Sequence, residues 1–265
     1  MPDFKLFSKK QLRVLSFWCG EDNSFDAIIC DGAIRSGKTV CMIISFILWS
    51  FYQFEGACFA ICGKTIRNVK RNILTPITAT LKNMGLTLNF KPSENTLELS
   101  FKGRMNRFYF FGGKDQSSSS LIQGMTLSGV FFDEVALMPR SFVEQAVARC
   151  SVEHSKFWFN CNPEYPGHWF YREWILKKES KNALYLHFTM KDNPSLSQEL
   201  ISRYENLYSG TFYQRFIEGK WVNSKGIIYP FMSDIKAFHD VPFDGFEDFA
   251  VSCDYGTVNP SSFGL

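Results

Sequence analysis

The sequence predicts a three-layer α/β fold with a mainly parallel central sheet, an antiparallel addition and a small helical subdomain behind it. Three observations carry this. Short, continuously apolar runs rich in β-branched and aromatic residues recur between Ala27 and Cys161, as strands covered on both faces require. Segments long enough for helices lie between them, the alternation that builds a parallel sheet through crossover connections. One stretch, "LTLNFKPSENTLELSFKGRMNRFYFF" at 86–111, instead alternates on either side of a Pro-Ser-Glu-Asn turn, the pattern of an antiparallel hairpin.

In chain order the expected strands are Ala27–Cys30, Ala57–Cys62, Phe108–Phe111, Gly129–Phe132 and Phe157–Cys161. The expected helices are Lys38–Phe54, Ile66–Met84, Ser141–Cys150 and His168–Lys178. Beyond about Tyr185 the texture changes. "KDNPSLSQELISRYENLYSGTFYQRFIEGKWV" opens on the turn residues Asp192-Asn193-Pro194 and continues as two short helical segments broken at Gly210. "GFEDFAVSCDYGTVNPSSFGL" then starts a fresh strand at Phe249–Cys253, with too little sequence after it to complete a sheet of its own. The expected organisation is a core over 1–185, a helical linker or lid over 186–240, and the start of a truncated further domain over 241–265.

Composition narrows the class. Hydrophobic residues make up 45% and charged residues 21%, enough for a large buried core. The net charge is only +3, so a nucleic-acid contact has to come from a local basic surface rather than from the field of the whole chain. None of the 8 cysteines forms a C-x-x-C pair and several sit inside apolar runs, which points to buried reduced thiols in a cytosolic protein. "MPDFKLFSKKQLRVL" lacks the apolar core of a signal peptide. The apolar run Val40–Phe54 contains Ser45, Ser50 and Gln53 and falls short of the roughly 20 residues that cross a bilayer, so it is read as a buried helix.

The loop "GAIRSGKT" fills every fixed position of G-x-x-x-x-G-K-[ST], between an expected strand and an expected helix. Gly32 and Gly37 permit the turn that aims the backbone N–H groups of Ala33, Ile34, Arg35 and Ser36 at phosphate oxygens, and the helix N-terminus adds its partial positive charge. Lys38 supplies a point charge for the β and γ phosphates of ATP, and the Thr39 hydroxyl is a Mg²⁺ ligand. Arg35 has two readings, a γ-phosphate contact with a catalytic role or a solvated loop side chain.

Just past another apolar strand, "GVFFDEVALMP" places Asp133 and Glu134. Beside a phosphate loop, Asp133 would hold Mg²⁺ through its water shell while Glu134 orients and deprotonates the attacking water. An adjacent Glu points to hydrolysis rather than phosphoryl transfer to a small acceptor. The fold class therefore narrows to a P-loop NTPase core, RecA/ASCE-like. Asn160 and Asn162, at the end of "FWFNCNP", either sense the γ-phosphate and pass its state onward or belong to simple turn chemistry. Gln11 carries the paired donor and acceptor that an adenine edge requires. Lys64, Arg67, Lys70 and Arg71 form a basic segment that reads either as a phosphate-tracking DNA contact or as a solvated helix face.

These segments, in this order, resemble the large terminase subunit of tailed bacteriophages, particularly its PBSX-like branch. "DGAIRSGKT" and "LSGVFFDEVALMP" resemble that family's Walker A and Walker B segments, "GKTIRNVKRNI" the arginine-bearing segment after its second strand, and "FNCNPEYPGHWFY" its coupling motif. "HFTMKDNPSL" and "FIEGKWVNSKGIIYPF" resemble its linker subdomain, and "VSCDYGTVNPSSFGL" the first strand of its RNase H-like nuclease. The resemblance implies an ATPase motor that threads double-stranded DNA into a procapsid from the host cytoplasm. It also implies a homo-oligomeric ring on the portal, a small-subunit partner, no membrane, and a nuclease metal at Asp254. One carboxylate cannot assemble a two-metal site, so no DNA cleavage is expected of this chain. Many members carry an Arg shortly before Walker B; the matching segment here, "LIQGMTLSG", has Gln123, leaving Arg149 in trans or Arg35 in cis as finger. The rival readings are another P-loop NTPase, such as a helicase-like translocase or a nucleotide kinase, and an ATP-binding assembly module without turnover.

Overall fold

In a computed structural model of the protein, residues 7–223 are described, together with the backbone of 252–254 and 262–264. The chain forms two compact units, residues 1–228 and 229–265. In the first, an eight-stranded sheet has the order β3-β4-β5-β2-β6-β7-β1-β8. Its strands are β1 Ala27–Gly32, β2 Cys58–Gly63, β3 Thr87–Lys91, β4 Thr96–Phe101, β5 Arg104–Gly112, β6 Gly129–Phe132, β7 Lys156–Asn160 and β8 Ala183–Phe188. The six strands from β5 to β8 in that order pair parallel, while β3 and β4 add an antiparallel hairpin at one edge.

Period-2 alternation builds the layers. Ile28 and Cys30 of β1, Phe59 and Ile61 of β2, Phe131 of β6 and Trp158 of β7 point into one apolar cluster, with Phe46 and Trp49 of helix α2 Lys38–Gln53. Their neighbours Ala27, Ile29, Ala60, Cys62, Val130, Phe132 and Phe159 face a second cluster, closed by Phe142 and Val143 of helix α5 Arg140–Ala148 and by Trp174. Both faces of the sheet are therefore buried, which is why these strands are apolar at every position. The abundant aromatic residues pack against one another in both layers: Trp49 lies 4.9 Å from Trp158, and Phe132 stacks on Phe159 at 5.1 Å.

Helix α1 Lys9–Leu15 begins with a capping box in which Ser8 and Gln11 satisfy each other's backbone N–H groups. The helix expected over Ile66–Met84 is α3 Ile66–Val69, a π-helical turn Lys70–Leu74 and α4 Thr75–Asn83 in succession. Pro76, in the first turn of α4, gives no N–H to the ladder, and the wider turn directly precedes it. The helix expected at His168–Lys178 forms over residues 169–175, the last five of them, Tyr171–Ile175, as a π-helical turn.

Strand β8 departs from the sequence reading, which had no strand there. "ALYLHF" pairs with β1 along all six residues of that strand, so the phosphate-loop strand lies inside the sheet between β7 and β8. After β8 the two expected short helices are α6 Gln198–Leu207 and α7 Gly210–Phe216. In the second unit, β9 Ser252–Asp254 pairs antiparallel with β10 Ser262–Gly264. Of the strand expected at Phe249–Cys253, residues 249–251 lie outside the described residues; Ser252 and Cys253 fall in β9. The side chain of Asp254 lies outside the described residues. No helix among the described residues is long and apolar enough to cross a membrane.

Candidate nucleotide site

A cleft of about 570 Å³ opens at the C-terminal ends of the parallel strands, where the backbone of several loops converges. One wall is the loop from Ile34 to Thr39; the other carries Asp133 and Glu134, and Asn160 and Asn162 form the floor between them. Strand order explains the meeting. β7 lies between β1 and β6, so residues leaving these three strands share one edge although they are far apart in the chain.

The loop is held from within. Gly32 has φ of 121°, and a Cβ there would collide with the carbonyl oxygen of Phe188, so the close approach of β8 admits only glycine. The chain turns again at Gly37, φ 82°, which caps α2. The Lys38 ammonium is buried and donates to the carbonyls of Gly32 (3.1 Å) and Ala33 (2.7 Å), to Ser36 Oγ (3.2 Å) and to Asn162 Oδ1 (3.4 Å). Burial pulls its pKa down to about 8, with the carboxylates of Asp31 and Asp133 acting the other way.

One amide bridges the two walls. Asn160 Nδ2 donates to Thr39 Oγ1 at 2.9 Å and to Asp133 Oδ1 at 2.7 Å. Asp133 is buried, which lifts its carboxyl pKa to about 6; the Asn160 hydrogen bond and the Lys38 charge hold it down, and Glu134 pushes it up. Asn160 Oδ1 is buried with no partner. A buried acceptor left unpaired costs on the order of 1–3 kcal/mol, a cost that a donor arriving with a ligand would remove.

Arg35 is exposed, lines the cleft and has φ 59°; Glu134, half-buried, lines the other wall with φ 56°. Left-handed backbone at two non-glycine residues on facing walls of one cleft is the kind of local strain that collects where side chains must be aimed.

Other expected residues fall elsewhere. Gln11 is buried against the loop: its Oε1 accepts from the Ser8 N–H at 3.0 Å and its Nε2 donates to the Ser36 carbonyl at 3.3 Å. Lys64, Arg67 and Arg71 are exposed, whereas Lys70 bends back to donate to Asn95 Oδ1 at 2.8 Å and lies over Phe90. The π-turn begins at Lys70, so the helical spacing that put Arg67, Lys70 and Arg71 on one face does not apply unchanged. Sequence reasoning passed over Asn193, whose Nδ2 donates to the Arg35 carbonyl at 2.7 Å, and Asn72; both line the cleft. An Asn before Pro signals a turn, and only the fold reveals that this turn touches the phosphate loop.

Comparison with known proteins bears on family and fold. A family model described as "Terminase large subunit, T4likevirus-type, N-terminal" matches residues 29–233. The large terminase of a thermophilic bacteriophage is 51% identical in one crystal form, covering 98% of this chain and 64% of that one, with a TM-score of 0.81. The same terminase in complex with ADP gives 50% identity, 97% and 64% coverage and 0.81; in complex with ATP-gamma-S it gives 48%, 98% and 64%, and 0.79. The HK97 bacteriophage large terminase, at 11% identity, TM-score 0.60 and coverage of 82% and 51%, shares the fold. No curated protein matches the sequence. The chain spans 64% of the length of the terminase it matches at about half identity.

Proposed function

Because the chain belongs to the terminase large subunit family, matching the N-terminal part of its T4likevirus type, we propose that it is the ATPase part of a viral DNA-packaging motor. ATP binds in the loop Gly32–Thr39, and its hydrolysis drives double-stranded DNA into a procapsid in the host cytoplasm. The carrying observation is the Asn160 amide, which ties the hydroxyl of Thr39 to the carboxylate of Asp133 across the mouth of the phosphate loop.

The donor set fits Mg²⁺, which takes hard oxygen ligands and keeps several waters alongside one or two protein groups. Thr39 Oγ1 and Asp133 would hold the ion, and when bound it offsets charge on the β and γ phosphates. Lys38 would give up loop carbonyls for phosphate oxygens. Glu134 orients the attacking water and accepts its proton, and Arg35 reaches toward the γ-phosphate from the opposite wall. Asn160 and Asn162, which touch Thr39 and Lys38 respectively, carry the phosphate state toward the sheet edge. Gln11 reaches an adenine edge only by releasing Ser8 and Ser36. The three-part division is kept in this reading except at 185, a boundary that would cut β8: the core runs on through Phe188, the linker follows to about 240, and Asp254 is the first ligand of a nuclease metal. The assembled form is a homo-oligomeric ring on the portal, with a small terminase subunit.

ATP turnover measured against protein concentration, with and without linear duplex DNA, tests the motor reading. Turnover that rises with both supports it; rates independent of both favour a P-loop enzyme that is not a motor, and binding without turnover favours an assembly module. Arg67→Ala and Arg71→Ala each lower duplex affinity and flatten its salt dependence by about one unit of slope if these side chains meet phosphates. An unchanged slope removes them from the interface.

A further inference from the structure

Asp31 sits one residue before the phosphate loop, fully buried, and does not line the cleft just described, though its charge favours the protonated form of Lys38 there. A buried carboxylate is costly unless its oxygens are paired. Both are: Trp221 Nε1 donates to Oδ2 at 2.7 Å, and His187 Nδ1 meets Oδ1 at 2.9 Å. His187 Nε2 lies 3.2 Å from the backbone carbonyl of Glu218. Both ring nitrogens thus face acceptors. A neutral imidazole has a single N–H and satisfies only one of them, so the arrangement is complete only with a protonated ring.

Glu218 and Trp221 belong to the segment that follows α7, and that segment lies on the phosphate loop itself. The Ile34 N–H donates to the Phe216 carbonyl at 3.0 Å. A Cβ at Gly219 would come within 2.6 Å of Gly32 Cα and of Ala33 N, so the two backbones are in direct contact. Trp221 is further fixed by packing on Tyr171, ring centres 5.0 Å apart. We propose that Asp31, His187 and Trp221 form a latch fastening the strap Phe216–Trp221 to the first residues of the phosphate loop, so that Asp31 is a positioning residue transmitting loop movement to the helical subdomain.

The latch rests on the nucleotide reading for its purpose but not for its existence. It also carries a pH dependence. The Asp31 hydrogen bond and charge raise the His187 pKa above its ordinary 6.5 against the effects of burial and of Lys10, with the Glu218 carbonyl adding to the rise. The other groups facing this ring are accounted for. Lys10 Nζ is held by the His187 carbonyl and by Asp192, Glu218 pairs with Lys220, and burial, the Asp31 charge and a hydrogen bond to Asp31 push the Tyr185 phenol up, leaving it a neutral third partner of that carboxylate. A group whose folded pKa is raised stabilises at low pH and loses that contribution as pH rises through the folded value. The strap is therefore held in mild acid and loosens above the His187 titration.

Hydrogen–deuterium exchange of the peptide covering 216–222, corrected for intrinsic rates, tests this in the full chain alongside ADP affinity and steady-state ATP turnover. Trp221→Phe keeps the ring and deletes one donor; Asp31→Asn deletes the charge; His187→Gln deletes the titration. In Trp221→Phe and Asp31→Asn the strap should exchange about tenfold faster, the loss expected for one charge-assisted hydrogen bond. Turnover should fall by a comparable factor while ADP affinity moves less than about twofold. In the unsubstituted protein protection should drop as pH rises through the His187 titration, and His187→Gln should abolish that step. Unchanged strap protection in Trp221→Phe overturns the latch. So does a variant whose ADP affinity and global exchange deteriorate together with turnover, because that marks a purely structural role. Should the unsubstituted protein neither bind ADP nor hydrolyse ATP, the nucleotide reading fails while strap exchange still decides the latch.

Discussion

The two walls of the cleft are built on opposite principles. The phosphate loop is over-determined: Lys38 alone has four acceptors, and Gly32 is pinned by β8. The acidic wall is tied to Thr39 more lightly, by the Asn160 amide and by a direct hydrogen bond between the Asp133 carboxyl and Thr39. Burial pushes the charge of each wall toward neutrality, lowering Lys38 to about 8 and raising Asp133 to about 6. Between those two values both side chains are charged in a place that disfavours charge. A site of this kind is less stable than it could be and correspondingly ready for a polyanion with its counter-ion.

The comparison breaks most visibly at its two charged centres. Lys38→Ala should cost about a hundredfold or more in ATP affinity, because a desolvated point charge is removed from the phosphates. Glu134→Gln should leave that affinity intact and lower turnover by about 10²–10⁴-fold, the usual share of a positioned general base. Equilibrium binding of a fluorescent nucleotide and steady-state phosphate release separate the two. Wild-type turnover in Glu134→Gln would refute its assignment.

Asn160 should come next. Asn160→Ala removes the donor that holds Asp133 down, so the Asp133 carboxyl rises further and the acid limb of the turnover profile moves to higher pH. Turnover near neutrality should fall about tenfold, with ADP binding less affected than ATP binding. A profile superimposable on the parent would show that the amide does not control this carboxylate.

A stability measurement sharpens the same point. Asp133 has a folded pKa of about 6 against an ordinary value of 3.8, so the native state binds more protons than the unfolded chain between these values. Stability from this group is therefore present below the lower value and is lost as pH rises through the upper one. Asp133→Asn should then melt a few degrees above the parent at pH 7, on the order of 2 kcal/mol, and the gap should close by about pH 4. Equal melting temperatures near neutrality would mean that the carboxylate is not penalised.

How much of this was legible in advance follows from sequence separation. "GAIRSGKT" and "GVFFDEV" put their chemistry in contiguous residues, so loop and acidic pair could be read directly and the α/β class followed from the apolar runs around them. The bond between Asn160 and Thr39 spans 121 positions, and whether Asn160 serves the site or only a turn cannot be read locally. β8 escaped although the helix expected at His168–Lys178 precedes it, because its six residues include His187 and run straight into turn residues. With β8 missing, Asp31 had no partner to suggest itself: His187 and Trp221 are 156 and 190 positions away. The π-turn at Lys70–Leu74 shifts the basic face, and its one sequence signal is Pro76 just beyond it, inside the span read as a single helix.

Gln11 should give the smallest effect, and it tests whether the loop is as over-determined as its contacts imply. Gln11→Ala deletes half of the α1 capping box and the bond to the Ser36 carbonyl, a combined loss of about 1–2 kcal/mol in stability. Lys38, Gly32 and Ser36 still fix the loop, since Ser36 Oγ donates to the Ala33 carbonyl at 3.0 Å without help from α1. Phosphate binding should therefore weaken by less than about threefold, equally for ATP and GTP, because nothing in this support discriminates a base. Selective loss of ATP affinity, leaving GTP unchanged, would instead mean that the amide leaves Ser8 and Ser36 to take the adenine edge. The loop would then have yielded one support to its ligand and kept those of Lys38, Gly32 and Ser36.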